Sequence, residues 1–264
     1  MRNVKKLKKV IFLLRYITLS KEICQSLTER LACAGIEVSF VVQEDETRET
    51  GDDILWVVDC KEQAAFHDKK VVVYLHEYNS GTDFSGCTYF IEGFEDVGAT
   101  YFIRIFERFH DIPWVIVKTL RLQIREMAVE DLDAIYELYE HPEHLPFLPP
   151  LQENREEEKE YLKRYIQNMY GIFEYGMWLV ETTEGEVIGR MGVENTDEED
   201  VLSFGFLIRP DARRKGYALE AGKALLKYLK EEYPYFQIVA FCHPQNVAAR
   251  SLCDKLGICV KCIN

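Results

Sequence analysis

S-F-G-F-L-I-R-P-D-A-R-R-K-G-Y-A-L-E, residues 203–220, changes character twice within eighteen positions. An apolar strand pattern ends at Pro210, which has no amide to give a ladder. A basic loop with one glycine follows. A helical pattern then begins that carries Leu219, Ala221, Leu225 and Leu226 on one side. A strand, a loop of unpaired backbone amides and a helix N-terminus form a ready anion site. Here Arg213, Arg214 and Lys215 add three consecutive cations in a chain whose net charge is -13. That contrast points to a small bound polyanion such as a pyrophosphate.

Around this stretch the second half reads as mixed α+β. From Leu120 come a strand (L-R-L-Q-I-R-E-M), a helix over 129–139, a Pro-rich turn over 141–150 and a helix over 155–169. Strands over 177–182, 187–193 and 202–208 succeed one another with short turns, the signature of antiparallel pairing. After the basic loop come a helix through Lys230, a strand (Q-I-V-A-F-C) and a helix opened by Asn246.

The first half follows a different rule. Strand runs at 9–14, 37–43, 54–58, 71–75 and 89–91 alternate with helical spacing at 21–34, 61–67 and 99–109. Continuous Val/Ile/Leu runs alternating with helices predict a parallel sheet covered on both faces, a Rossmann-like α/β layer domain. Polar residues at the strand ends, Asp59, His76, Glu77 and Asn79, stand where such sheets hold ligands. No G-x-G-x-x-G follows the first strand, so a dinucleotide fingerprint is absent. The run I-L-W-V-V-D-C through K-K-V-V-V-Y-L resembles the later half of a haloacid-dehalogenase-like domain, without the D-x-D-G-T that superfamily uses for catalysis. Two domains are expected, 1–117 and 118–264. Ile112–Lys118 is the junction, and the absence of a Gly/Ser linker implies docked halves.

The totals exclude several classes. At 264 residues, 47% apolar and 29% charged, the composition is that of a globular protein. The acidic balance argues against nucleic-acid binding, which needs clustered Lys and Arg, and suits a cationic or amine partner. The apolar run Val10–Leu14 falls short of the roughly 7–15 residues of a signal-peptide core. No stretch reaches the ~20 of a membrane span. A cytoplasmic location is expected, with the eight cysteines reduced. Cys259-Val-Lys-Cys262 lacks the second pair or histidines of a zinc site, so no metal is expected.

Residues from about 118 onward resemble the GNAT superfamily of acyl-CoA-dependent N-acetyltransferases, and within it the ribosomal-protein-alanine N-acetyltransferase-like branch. Three pieces in order carry the resemblance: I-R-E-M-A-V-E-D-L-D-A-I-Y-E-L-Y; the [Q/R]-x-x-G-x-[G/A] loop, matched by Arg213, Gly216 and Ala218; and N-V-A-A-R-S-L-C-D-K-L-G. The resemblance implies acetyl-CoA as cofactor, its pyrophosphate wrapped by the loop Arg213, Arg214, Lys215, Gly216, Tyr217 and Ala218. It also implies that the backbone of Phe206, Leu207 and Ile208 lies along the pantetheine arm, though the same residues read equally as core strand. Asn246 reads either as a contact to that arm or as a helix N-cap.

Family members often place a glutamate on the strand before the loop and a tyrosine in the last helix. Here Ser203 and Cys253 occupy those places, and Glu194 is the carboxylate that would face the same cleft. Glu174, Tyr175 and Trp178 are expected on the acceptor side. The family usually continues past K-x-G-F with two more strands, and the uncovered edge expected here invites a partner, such as a second copy in a homodimer. The resemblance implies transfer of an acetyl group to a primary amine, on a small molecule or a protein N-terminus. The alternative is a non-catalytic acyl-CoA-binding sensor, motivated by Ser203 and Cys253.

Overall fold

The computed structural model describes residues 5–41, 51–68, 70–140, 147–148 and 150–262. The chain divides into two compact units, Met1–Ile112 and Pro113–Asn264.

In the first unit the strands are β1 (Lys9–Leu13), β2 (Glu37–Val41), β3 (Ile54–Val58), β4 (Val72–Tyr74) and β5 (Tyr89–Ile91). The helices are α1 (Lys21–Ala32), α2 (Lys61–Phe66) and α3 (Ala99–Phe109). All five strands pair in parallel, in the order β2-β1-β3-β4-β5. The apolar run near the start of the chain is the interior strand β1, held between β2 and β3. Its Val10 and Phe12 face Leu27 and Leu31 of α1 and Phe102 and Phe106 of α3. Its Ile11 and Leu13 face the opposite way, towards Ala64 of α2 and Phe84. A strand segment buried on both faces must be apolar at every position, and Val10–Leu13 is, with Lys9 at the half-buried start. The expected strand over 37–43 ends at Val41, and its last two positions lie outside the described residues.

The second unit holds a seven-stranded mixed sheet in the order β12-β11-β10-β9-β8-β7-β6. Its strands are β6 (Val115–Lys118), β7 (Leu122–Arg125), β8 (Met177–Thr182), β9 (Val187–Asn195), β10 (Val201–Ile208), β11 (Gln237–Cys242) and β12 (Cys259–Cys262). Its helices are α4 (Leu132–Tyr139), α5 (Arg155–Tyr165), α6 (Tyr217–Glu232) and α7 (Val247–Leu256). From β6 to β10 the pairing is antiparallel; β10, β11 and β12 are parallel, joined by α6 and α7. The two crossover helices touch closely: a Cβ at Gly222 of α6 would stand 2.7 Å from a methyl of Leu256 in α7.

Two expectations are corrected. The expected junction Ile112–Lys118 contains the boundary between the units, after Ile112, but its Val115–Lys118 forms the edge strand β6, paired with β7 from Val115↔Arg125 to Lys118↔Gln123 with a shift of register between Val115 and Val117. W-V-I-V-K is a strand sequence, and Pro113 separates it from the helix that ends at Phe109. The helix expected over 155–169 is α-helical only to Tyr165 and continues as a π-helix over Ile166–Phe173. The physical reason lies in two tyrosines five residues apart. The Met177 amide donates to the Tyr165 hydroxyl at 2.6 Å, and the Tyr170 hydroxyl donates to the Met177 carbonyl. In an α-helix residues five apart point in widely different directions, whereas the i→i+5 turn of a π-helix aligns them.

Candidate functional site

The sheet of the second unit is not closed along its length. β10 runs for eight residues, yet it pairs with β11 only at Val201↔Gln237, Leu202↔Ile238 and Ser203↔Val239. β11 goes on to pair with β12 through Cys242, and β10 with β9 through Ile208↔Gly189. The two parallel neighbours therefore part beyond Ser203. Antiparallel strands send the backbone groups of alternate residues to opposite sides. The Arg209 amide donates to Ile188 O at 2.9 Å, which fixes the phase. Leu207 and Gly205 address β9, while Phe204, Phe206 and Ile208 address the gap. Of the expected trio, Leu207 is thus engaged within the sheet, and Phe206 and Ile208 present backbone to the opening. Their side chains are half-buried and buried in the core, as the core-strand reading expects.

At the open end of the gap lies the basic loop. A short 3-10 turn over Pro210–Ala212 leads to Arg213, whose Nε donates to Ile208 O at 3.0 Å. Arg214 and Gly216 then take positive φ (60° and 84°). Two left-handed residues separated by one turn the chain sharply, and only glycine does so without strain. Gly216 caps α6 with no side-chain hydrogen bond, so the amides of the first helical turn point at an uncapped N-terminus. Arg213, Arg214 and Lys215 are exposed around it. The loop is held from behind. Arg121 donates through Nη1 to Lys215 O (3.1 Å) and through Nε to Glu220 (2.7 Å), and its guanidinium lies 4.6 Å from the centroid of the Tyr217 ring. Burial pushes the Glu220 carboxyl up, but hydrogen bonds from Thr119 and Arg121 outweigh it and hold the group below the usual range. Arg121 was not singled out in the sequence, because an arginine opening an amphipathic strand carries no local signal.

Ser203 and Glu194 stand directly opposite one another in register. They share a sheet face with the pairs Gly205↔Gly192 and Leu207↔Arg190. This is the α4 side, since Arg190 Nη1 donates to the Tyr139 hydroxyl of that helix at 3.0 Å. Glu194 is exposed and Ser203 half-buried, at the point where β10 and β11 separate. Cys253 differs from expectation: it is 0% exposed, and burial together with neighbouring Cys242 pushes its thiol up to about 12. A shielded thiol so reluctant to ionise is a packing residue.

Of the expected acceptor-side residues only Glu174 is exposed; Tyr175 and Trp178 are buried in an aromatic cluster. Trp178 pairs with Met191, on the face opposite Arg190; it is 0% exposed and meets Tyr228 of α6 edge to face. Tyr175 is buried against Tyr233 and Phe236, with its hydroxyl on Asn195 Oδ1 at 2.7 Å. Glu174 is exposed at φ 59°, and its carbonyl accepts from the Tyr233 hydroxyl at 2.9 Å. An aromatic run before a strand reads the same whether it lines a cleft or fills a core. Asn246 caps α7, its Oδ1 accepting from the Ala249 amide at 3.1 Å; the Nδ2 amino group is left over for another acceptor.

Two other sequence candidates resolve into structural roles. Asp59, 0% exposed, accepts from the amides of Arg15 (2.7 Å) and Tyr16 (2.8 Å) and lies 3.3 Å from His76 Nε2, while Asn79 bridges Asp59 O and Tyr74 O. The network fastens the carboxyl ends of β1, β3 and β4 together. Cys259 and Cys262, three apart on β12, project to opposite faces, which a chelating or redox pair cannot use. Among the described residues no helix is long and apolar enough to cross a membrane.

The family profile described as "Acetyltransferase (GNAT) domain" matches residues 121–258. The chain is 26% identical over 142 residues to the uncharacterized N-acetyltransferase YnaD of Bacillus subtilis, covering 54% of this chain and 81% of that protein. A GNAT-family acetyltransferase of Bacillus anthracis is 24% identical, with a TM-score of 0.46 over 53% of this chain and 81% of its own. The microcin C7 self-immunity acetyltransferase MccE, solved with acetyl-CoA and AMP, is 10% identical with a TM-score of 0.46, over 53% of this chain and 79% of its own.

Proposed function

Because the chain belongs to the GNAT acetyltransferase family, we propose that its second unit transfers an acetyl group from acetyl-CoA to a primary amine, on a small molecule or a protein N-terminus. The observation that carries the reading is the parting of β10 from β11 beyond Ser203, next to an uncapped helix N-terminus ringed by Arg213, Arg214 and Lys215. The cradle fits a diphosphate: amides from Arg214 to Ala218 and the positive helix end favour anions, and Gly216 keeps the approach clear of a side chain. The backbone of Phe204, Phe206 and Ile208 would bind an amide-bearing arm as an added strand does, with Asn246 Nδ2 donating from the other side.

When bound, acetyl-CoA supplies an acyl group activated as a thioester. The residues of this chain supply orientation and proton handling. Glu194 accepts a proton from the incoming ammonium, directly or through one water, and Ser203 opposite it hydrogen-bonds the same water. Backbone amides of β10 beyond its pairing with β11 would steady negative charge on the acyl oxygen. Cys253 takes no part.

The sensor reading retains one supporting observation, the absence of a solvent-accessible acid where the family places a tyrosine. Calorimetry with CoA, followed by release of free thiol from acetyl-CoA over a panel of amines, separates the two. Binding with turnover supports the enzyme, binding without turnover supports the sensor, and no binding refutes both.

A further inference from the structure

The second unit half-buries two guanidinium groups and treats them differently. Arg125 is fully matched: Nη1 and Nη2 reach the two Asp131 oxygens at 2.6 and 2.9 Å, Nε reaches Glu181 at 2.7 Å, and Nη1 also reaches Glu126 O at 2.8 Å. Arg190, on β9, has no such match. Its Nη1 donates to the Tyr139 hydroxyl at 3.0 Å, and its guanidinium carbon lies 5.9 Å from that ring's centroid. Its Nε is shielded from water and has no hydrogen-bond partner. Among the described residues no carboxylate forms an ion pair with it. The groups around it are the phenols of Tyr139, Tyr165 and Tyr170 and, further off, the Glu194 carboxylate, with Tyr161 near both Arg190 and Glu194.

A recessed charge without a counterion is costly to maintain. Replacing Arg190 by an apolar residue would fit the strand V-I-G-R-M-G-V-E better, since Leu179 and Leu207 flank it in register. The edge left unpaired, with Nε on it, is the edge a planar carboxylate engages in two-pronged fashion once the side chains that shield it give way. The position also suits an acceptor. Arg190 and Glu194 lie on one strand and one face, about 13 Å apart at Cα for four residues, and both side chains are long enough to shorten that span. Tyr161 (49% exposed) and Glu194 are accessible at the surface, with Arg190 recessed beside them.

We propose that Arg190 is a specificity residue that binds a carboxylate carried by the acceptor, so that the substrate is an amine bearing an acid a few bonds away. The assignment rests on acetyl transfer at the Glu194–Ser203 end. The carboxylate belongs either to a small amino acid or to an acidic side chain near a peptide N-terminus, and both sources present the same group to Arg190.

The test compares ω-amino acids from γ-aminobutyrate to 8-aminooctanoate with alkylamines of equal length, and tetrapeptides carrying Asp at the second or third position with their Asn counterparts. Binding to the CoA-loaded chain is measured by calorimetry, and transfer by thiol release. At one chain length or one peptide position the acid is expected to exceed its neutral match at least tenfold in kcat/KM; which set does so names the source. Arg190→Gln is expected to abolish that preference through KM rather than kcat, and Arg190→Lys to restore part of it. Equal binding of acids and neutral matches by the wild-type chain overturns the inference without need of any variant. If CoA itself fails to bind, the acetyl-transfer reading falls separately. Titration of the acids into the cofactor-free chain then decides for Arg190, and no heat from any of them overturns it.

Discussion

Replacing Gly216 by glutamate isolates the claim that the basic loop holds a diphosphate. Gly216 sits at φ 84°, and a Cβ there would meet only Arg121 Nη2, at an ordinary 3.5 Å. Steric cost is therefore small, and the left-handed backbone sets the penalty, about 1–2 kcal/mol for a non-glycine residue. Gly216→Ala carries that penalty alone and should lower Tm by about 2–4 °C per kcal/mol for a unit of this size. Gly216→Glu adds a negative charge facing the amides that would bind phosphate. Two unit charges about 5 Å apart at an effective dielectric of about 20 repel by about 3 kcal/mol, a loss in CoA affinity of roughly 100-fold. At a CoA concentration of about 100 times the wild-type Kd, stabilisation should fall from about 2.7 kcal/mol to about 0.4 kcal/mol. In a thermal-shift assay the wild-type chain and Gly216→Ala should both gain several degrees with CoA, and Gly216→Glu about one. A full shift in Gly216→Glu, or an equal loss in Gly216→Ala, refutes the placement of the diphosphate.

Other perturbations test the neighbouring arguments. Glu194→Gln should lower kcat about 10²–10⁴-fold while leaving the CoA shift intact, whereas Cys253→Ala should leave kcat nearly unchanged; steady-state thiol release measures both. Glu220 has a depressed pKa, so its contribution to stability is present above the ordinary carboxylate value near 4.5 and is lost as pH falls through the lower folded value. Melting curves from pH 7 to pH 3 should show part of the acid destabilisation disappear in Glu220→Gln. Gly192→Ala would place a Cβ 2.0 Å from Gly176 O and 2.7 Å from Met177 Cα, whereas Gly205→Ala on the same face meets only the end of the Met177 side chain, its sulfur at 3.4 Å and its methyl at 3.6 Å. Urea denaturation should find the first destabilised by about 1–3 kcal/mol or more and the second close to wild type.

Much of this arrangement is legible in the residues, for identifiable reasons. The loop at 209–216 announces itself because proline, three cations and a glycine each impose a backbone or charge condition that few other structures meet. The strand Q-I-V-A-F-C and the cap at Asn246 likewise follow from local patterning. Glu194 and Ser203, nine residues apart across a turn, are placed together by antiparallel register, which the turn over 196–200 permits but does not dictate. Trp178 and Tyr175 misled because alternation shows which residues share a face and not which face is wet. The π-helix escaped because its cause, two phenols sharing one backbone unit at Met177, is tertiary. In the first unit the likeness to a haloacid-dehalogenase domain rests on an apolar strand, a short helix and another apolar strand, which any parallel sheet covered by helices shares.

Three rungs join five strands of the second unit to the last two, like a book bound only at one corner. Beyond that corner the sheet cannot hold its own leaves together, and cohesion passes to the layer of helices above. There α6 and α7 meet with Leu256 lying over the bare Cα of Gly222. A residue with no side chain thus sets how near the two helices that join the three parallel strands can come.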